Sequence, residues 1–173
     1  LTGQMHGLVL LDGDGSVLRP AILWNDQRCA AECDEIHDRV GLRTVIEVTG
    51  KPALSGFTAP KILWVQRHDP SAYNAARTML LPKDYVRYRL TGEALCDVGD
   101  ASGTSLFDVG RRQWSDAMVN ALGLPLGWLP RVVESPVPGD PVSCDGAAAS
   151  GLLEGTPVVA GAGDQQAEAV GCG

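Results

Sequence analysis

The architecture of this chain is written most plainly in Thr156-Pro157-Val158-Val159-Ala160-Gly161-Ala162-Gly163-Asp164-Gln165-Gln166. Val158 to Ala160, an apolar run after a proline, predicts the start of a buried strand. Gly161 and Gly163 flank one alanine, so the backbone there can turn sharply or approach a ligand closely. Asp164 follows, and Gln165 to Val170 is compatible with a helix. Strand, glycine turn, carboxylate and helix start together place Asp164 at the carboxyl end of a sheet, beside outward-pointing N–H groups. Ligands of α/β folds bind at such ends. Two roles fit Asp164: a general base in a sugar or nucleotide cleft, or a helix cap with a structural role alone. The local pattern by itself favours the cap.

The rest of the 173 residues supports a folded domain of ordinary size. The chain is 45% hydrophobic and 20% charged, a balance that builds a core. Its formal net charge of -7 argues against broad nucleic-acid binding, which needs a basic face. No apolar run reaches the length of a membrane span. The five cysteines include no C-x-x-C pair. Cys29 and Cys33 fall on one helix face without further soft ligands, so they are expected to be buried small hydrophobes rather than metal ligands. Free thiols without a signal peptide predict a cytoplasmic protein. Leu1-Thr2-Gly3-Gln4 starts without Met, and Gly171-Cys172-Gly173 stops inside a helix or turn. The chain therefore reads as part of a longer one, with an uncovered sheet edge and a tendency to self-associate.

Upstream, Gly7 to Leu11 and Ser16 to Leu18 read as a hairpin around Asp12-Gly13-Asp14-Gly15. Cys29, Cys33, Ile36 and Val40 give a helical period over Gln27 to Val40, with Glu32 outside. Gly41 to Thr58 is loop-like. Thr58 is expected to cap a helix with Pro60 in its first turn. A short helix at Ser71 to Ala76 leads to a strand, Thr78 to Leu81, and a helix, Lys83 to Leu90. Leu95 to Val98 and Thr104 to Phe107 read as strands around a turn at 99–103. Ser115 caps Asp116 to Leu122, and Ala147 to Leu153 is a short helix. This alternation predicts an α/β domain. Trp24 and Trp64 are expected in the core, Lys61 on a solvated face, Asp84 tying the Pro82 corner, and His37 and His68 exposed.

Several stretches together resemble the FGGY carbohydrate kinases, most closely the xylulokinase branch. Gly56-Phe57-Thr58-Ala59-Pro60-Lys61-Ile62-Leu63-Trp64 is similar to the family's G-x-[PST]-x-x-K-x-x-W signature. Gly3-Gln4-Met5-His6-Gly7 is similar to the xylulokinase sugar loop. Ile22 to Arg28, Leu80 to Tyr85 and Asp100 to Thr104 resemble further family blocks, and Gly161 to Gln165 resembles the one that carries the catalytic aspartate. Order and spacing agree across nearly the whole chain.

The resemblance implies an incomplete actin-like, ribonuclease H-like lobe: residues 1–173 as the later part of the N-terminal, sugar-binding lobe. Neither the opening phosphate-binding hairpin nor the ATP-binding C-terminal lobe is found in the sequence. It implies ATP-dependent phosphorylation of xylulose in a full-length parent, with ATP and Mg²⁺ as cofactors and the isolated chain inactive. Asp164 is then the general base, Met5, His6 and Gln165 contact the sugar, and Gly161 and Gly163 let the chain pass close to phosphate. No protein metal site is expected. A small-molecule sugar is the expected partner, without nucleic acid or membrane, and a homodimer is left open. Another polyol or sugar (glycerol, ribulose, gluconate) and a non-catalytic sugar-binding module are the alternatives.

Overall fold

The computed structural model describes residues 1–173. In chain order the elements are β1 (Thr2–Gly3), β2 (Val9–Leu11), α1 (Ala30–Val40), α2 (Leu42–Thr49), α3 (Thr58–His68), α4 (Pro70–Ala75), β3 (Thr78–Leu80) and α5 (Pro82–Thr91). Then follow β4 (Leu95–Asp97), α6 (Val98–Ser102), β5 (Phe107–Asp108), β6 (Gln113–Trp114), α7 (Asp116–Leu122), β7 (Arg131–Val133), α8 (Cys144–Ser150), β8 (Ala162–Gly163) and α9 (Asp164–Cys172). A 3₁₀ turn, Leu126–Trp128, follows α7.

The strands pair as β1–β8 and β4–β7, both parallel, and as β2–β3 and β5–β6, both antiparallel. β2 is buried on both faces. Leu10 joins the main core with Ile36, Ile62, Met79, Leu106 and Met118. Val9 and Leu11 face the other way, onto Leu80, Tyr85 and Tyr88. Helices on both sides of a short strand pair are what an α/β lobe requires, and a continuous apolar run is how such a strand reads.

Four of the nine α-helices begin behind a capping side chain. Ser115 accepts from the Met118 N–H and Ser143 from the Gly146 N–H, each leading its helix. Asp97 accepts from the N–H groups of Gly99 and Asp100, so the expected turn at 99–103 winds into α6 instead. Thr58 is the first residue of α3 rather than its cap; the N-cap position belongs to Phe57, and the Thr58 hydroxyl points back at the His6 carbonyl.

Other expectations are corrected as well. Val158 to Ala160 is not a paired strand but a single bridge, Pro138 with Val159; the ladder forms further on, at β8. The hairpin is reduced to one bridge, Leu11 with Val17, because β2 pairs mainly with β3. The loop-like stretch 41–58 contains α2, whose Thr44, Val45, Ile46, Val48 and Thr49 are poor helix formers. Burial of Val45 in the core overrides that local preference. Glu32 faces inward, 2% exposed, because Arg67 reaches it at 2.6 Å. His37 is half-buried and accepts from the Ala53 N–H at 3.0 Å. Cys29 and Cys33 are buried as expected, and all five cysteines are free thiols. No helix is long and apolar enough to cross a membrane.

Candidate functional site

The β1–β8 ladder sets the site. Thr2 registers with Ala162 and Gly3 with Gly163. Because the two strands are parallel, both chains leave the ladder at the same end. One continues into Gln4-Met5-His6, the other into Asp164-Gln165. Two stretches more than 150 residues apart are thereby delivered to one place. Met5, His6, Trp24, Asp164 and Gln165 line a cavity of about 360 Å³ there.

His6 is held from several sides. Its backbone lies in the left-handed region at φ 69, uncommon for a residue with a side chain. Its Nδ1 is 2.8 Å from the Gly103 carbonyl oxygen. A carbonyl can only accept, so Nδ1 carries the proton and Nε2 is the free acceptor of the neutral ring. Burial, helped by the charges of Lys61 and Lys51 and opposed by the bond to Gly103, holds the imidazole below its ordinary pKa. The Phe57 ring packs beside it, centroids 4.8 Å apart.

Asp164 is the first residue of α9, with Gly163 at the N-cap position. Its Oδ1 accepts from the Gln165 N–H at 3.0 Å, and the residue is partly open to the cavity. Gly161 and Gly163 do not line the cavity. Gly161 has φ +84, and a Cβ there would stand 2.2 Å from the Leu1 carbonyl oxygen. A Cβ on Gly163 would stand 2.6 Å from Met5 Cγ. Both glycines are needed for close passage of chain against chain beside the site.

α6 joins the two walls. The Gly103 carbonyl just past its end receives the His6 ring, and the Gly99 carbonyl receives Gln166 Nε2 at 3.3 Å. Beneath it lies a buried charge cluster. Lys83 Nζ is 2.5 Å from Asp84 Oδ1, 3.1 Å from Asp97 Oδ1 and 2.9 Å from the Ala160 carbonyl oxygen. Burial pulls Lys83 down, but Asp84 and Asp97 outweigh it and the net shift is up. No group of three or more His, Cys, Asp or Glu side chains is arranged to hold a metal ion.

Met5, His6, Asp164 and Gln165, singled out in the sequence, are thus brought to one cavity. Two residues were assigned otherwise. Trp24, expected in the core, is 56% exposed and lines the cavity; the polar pair Asn25-Asp26 directly after it was the available signal. Lys61, expected in solvent, is 0% exposed beneath His6. Its place in the G-x-[PST]-x-x-K-x-x-W pattern was the only hint. Trp64 lies half-buried against the core, and Asp84, expected to tie the Pro82 corner, is buried and paired with Lys83.

Known proteins share this chain's sequence and fold. The N-terminal domain of the FGGY family of carbohydrate kinases matches residues 1–171. The chain is 49% identical to a xylulose kinase of Escherichia coli (strain K12) over 173 residues, all of this chain and 35% of that protein. It is 43% identical to a xylulose kinase of Bacillus subtilis (strain 168) over 172 residues, 99% of this chain and 34% of that one. The crystal structure of xylulose kinase from Rhodospirillum rubrum superposes with a TM-score of 0.94 at 31% identity, covering 99% of this chain and 35% of that one. The chain spans about a third of the length of these relatives, and its α/β lobe has the actin-like ATPase fold of the family's N-terminal lobes. The chain therefore belongs to the FGGY family of carbohydrate kinases.

Proposed function

We propose that this chain forms the later, sugar-binding part of the N-terminal lobe of a kinase that phosphorylates D-xylulose to D-xylulose 5-phosphate at the expense of ATP. One observation carries the reading: Met5, His6, Asp164 and Gln165 meet in one cavity at the shared exit of a parallel strand pair. The names of the 49%- and 43%-identical relatives favour xylulose over other polyols.

The chemistry asks for positioning more than covalent catalysis. A sugar hydroxyl is a poor nucleophile until a carboxylate takes its proton as the new bond forms. Asp164 is the only carboxylate lining the cavity, and in this reading it accepts that proton while the hydroxyl oxygen bonds to the γ-phosphorus and ADP leaves. Nε2 of His6 accepts from a second hydroxyl, and Gln165 offers both donor and acceptor. Met5 and Trp24 give apolar contact to the carbon chain. Gly161 and Gly163, expected beside phosphate, instead let the chain pass tightly against Leu1 and Met5 and so set the position of the Asp164 wall.

Mg²⁺ supplies charge neutralisation on the nucleotide phosphates when bound. Of the residues present, Asp164, the carboxylate open to the cavity, is the one that would face the metal. Mg²⁺ of this kind keeps several waters and leans on phosphate oxygens. The free thiols fit a cytoplasmic setting. The test is a panel of D-xylulose, D-ribulose, glycerol and gluconate with Mg·ATP and the full-length protein. D-xylulose should give the highest kcat/KM. Preference for glycerol or gluconate contradicts the assignment, and sugar binding without turnover of any of the four makes the lobe a binding module.

A further inference from the structure

Two side chains of α3 converge on one backbone atom, the carbonyl oxygen of His6. Thr58 Oγ1 donates to it at 3.1 Å and Lys61 Nζ at 2.9 Å. Lys61 also donates to the Gly56 carbonyl oxygen. The Gly56 backbone in turn lies against Trp24; a Cβ there would stand 3.1 Å from the Trp24 carbonyl oxygen. One ammonium thus fastens the His6 loop to the Gly56 turn that begins α3's approach, beside the Trp24 backbone.

A core-filling role does not explain a lysine here. Lys61 is 0% exposed. It forms none of the protein's ion pairs, and burial pulls its pKa down to about 8. Asp26, Cys29 and Cys33 act on it from a distance. The two thiols are themselves pushed up by burial, to about 11 and about 12, so they carry no charge near neutral pH. A buried ammonium compensated mainly by carbonyl oxygens is a costly arrangement, and an apolar side chain would fill the same space without that cost. What the ammonium does is local. It satisfies the carbonyl of a residue in the left-handed region, and its charge opposes protonation of the ring attached to that residue.

We propose that Thr58 and Lys61 are positioning residues for the sugar, holding His6 in its left-handed turn with a neutral ring whose Nε2 is left for a substrate hydroxyl. This inference rests on the sugar-kinase reading above. It places two residues of the α3 signature one step behind the substrate.

The test uses the full-length protein with Thr58→Val, Lys61→Gln and Lys61→Arg. Thr58→Val removes one bond at nearly constant volume. It should raise the sugar KM several-fold, with kcat within about twofold and the ATP KM unchanged. Lys61→Gln should raise the sugar KM about tenfold, the scale of one charge-assisted hydrogen bond. It should also move the His6 titration, read by ¹⁵N NMR of the imidazole, to higher pH as the neighbouring positive charge is lost. Lys61→Arg should restore the His6 titration. An unchanged sugar KM in Thr58→Val, or an unmoved His6 titration in folded Lys61→Gln, overturns the inference. If Lys61→Gln does not fold, Thr58→Val decides alone. If the wild type phosphorylates none of the four compounds, the kinase reading falls, and the His6 titration still tests the effect of Lys61 on that ring.

Discussion

Asp100 is 0% exposed, and neither of its carboxylate oxygens is hydrogen-bonded. It shares a buried cluster with Asp84, Asp97 and a single ammonium, that of Lys83, so three carboxyl groups face one positive charge. Burial, then Asp84 and Asp97, with Lys83 opposing, pushes its pKa up to about 8. An unfolded aspartate titrates at about 3.9. Between those values the native protein keeps a proton that the unfolded chain has released, so this residue's contribution to stability is lost as pH rises from about 4 to about 8. Asp100→Asn removes the titration. Thermal melts should show Asp100→Asn above the wild type in Tm at pH 8, with the gap closing toward pH 5; a gap independent of pH would mean that Asp100 titrates normally. None of this was legible in the sequence. Asp100 reads as a turn residue and Lys61 as solvated because charged residues are mostly exposed, and only neighbours from distant parts of the chain reverse that. His6 and Asp164 were legible because their flanking residues carry a family pattern.

α6 shows how a short element can matter more than its length suggests. It receives the His6 ring at Gly103 and Gln166 at Gly99, and so ties the His6 loop to the helix that carries Asp164. Gly103 has no side chain because the imidazole occupies that space: a Cβ would lie 2.4 Å from His6 Nδ1. Its φ of -79 is ordinary, so alanine meets no backbone strain there, only the ring and, at 3.0 Å, Met5 Cε. Gly103→Ala should therefore leave the fold intact and displace His6. Steady-state kinetics on the full-length protein should show a sugar KM raised about tenfold or more with an unchanged ATP KM; a sugar KM equal to the wild type's would show that the ring's seat at Gly103 is unimportant. α7 behind its Ser115 cap was legible in place and length, whereas α8 behind Ser143 runs from Cys144 to Ser150, three residues before the expected Ala147 to Leu153. α2 and α6 were not legible. The first is built from β-branched residues held by burial of Val45, and the second depends on an Asp97 cap that reads equally well as a turn.

For the whole molecule, the decisive arrangement is the parallel pairing of the chain's first strand with its last. Gly3 beside Gly163 brings Met5-His6 and Asp164-Gln165 to one cavity. The α/β class was legible from the alternation of elements, and the lobe from the order of six motifs. The strand register was not, because the apolar run Val158 to Ala160 advertises a strand a few residues before the one that forms; its backbone-to-backbone bonds go to the 137–139 segment, while Ala162 and Gly163 meet β1. The account as a whole stands on Asp164 acting on a bound sugar. Its most direct test is Asp164→Asn in the full-length protein, with turnover of D-xylulose and calorimetric binding of D-xylulose measured on the same sample. The account predicts that kcat falls by about a thousandfold, within the range for loss of a general base, while the sugar still binds within several-fold of the wild-type affinity. Turnover within tenfold of the wild type would contradict it.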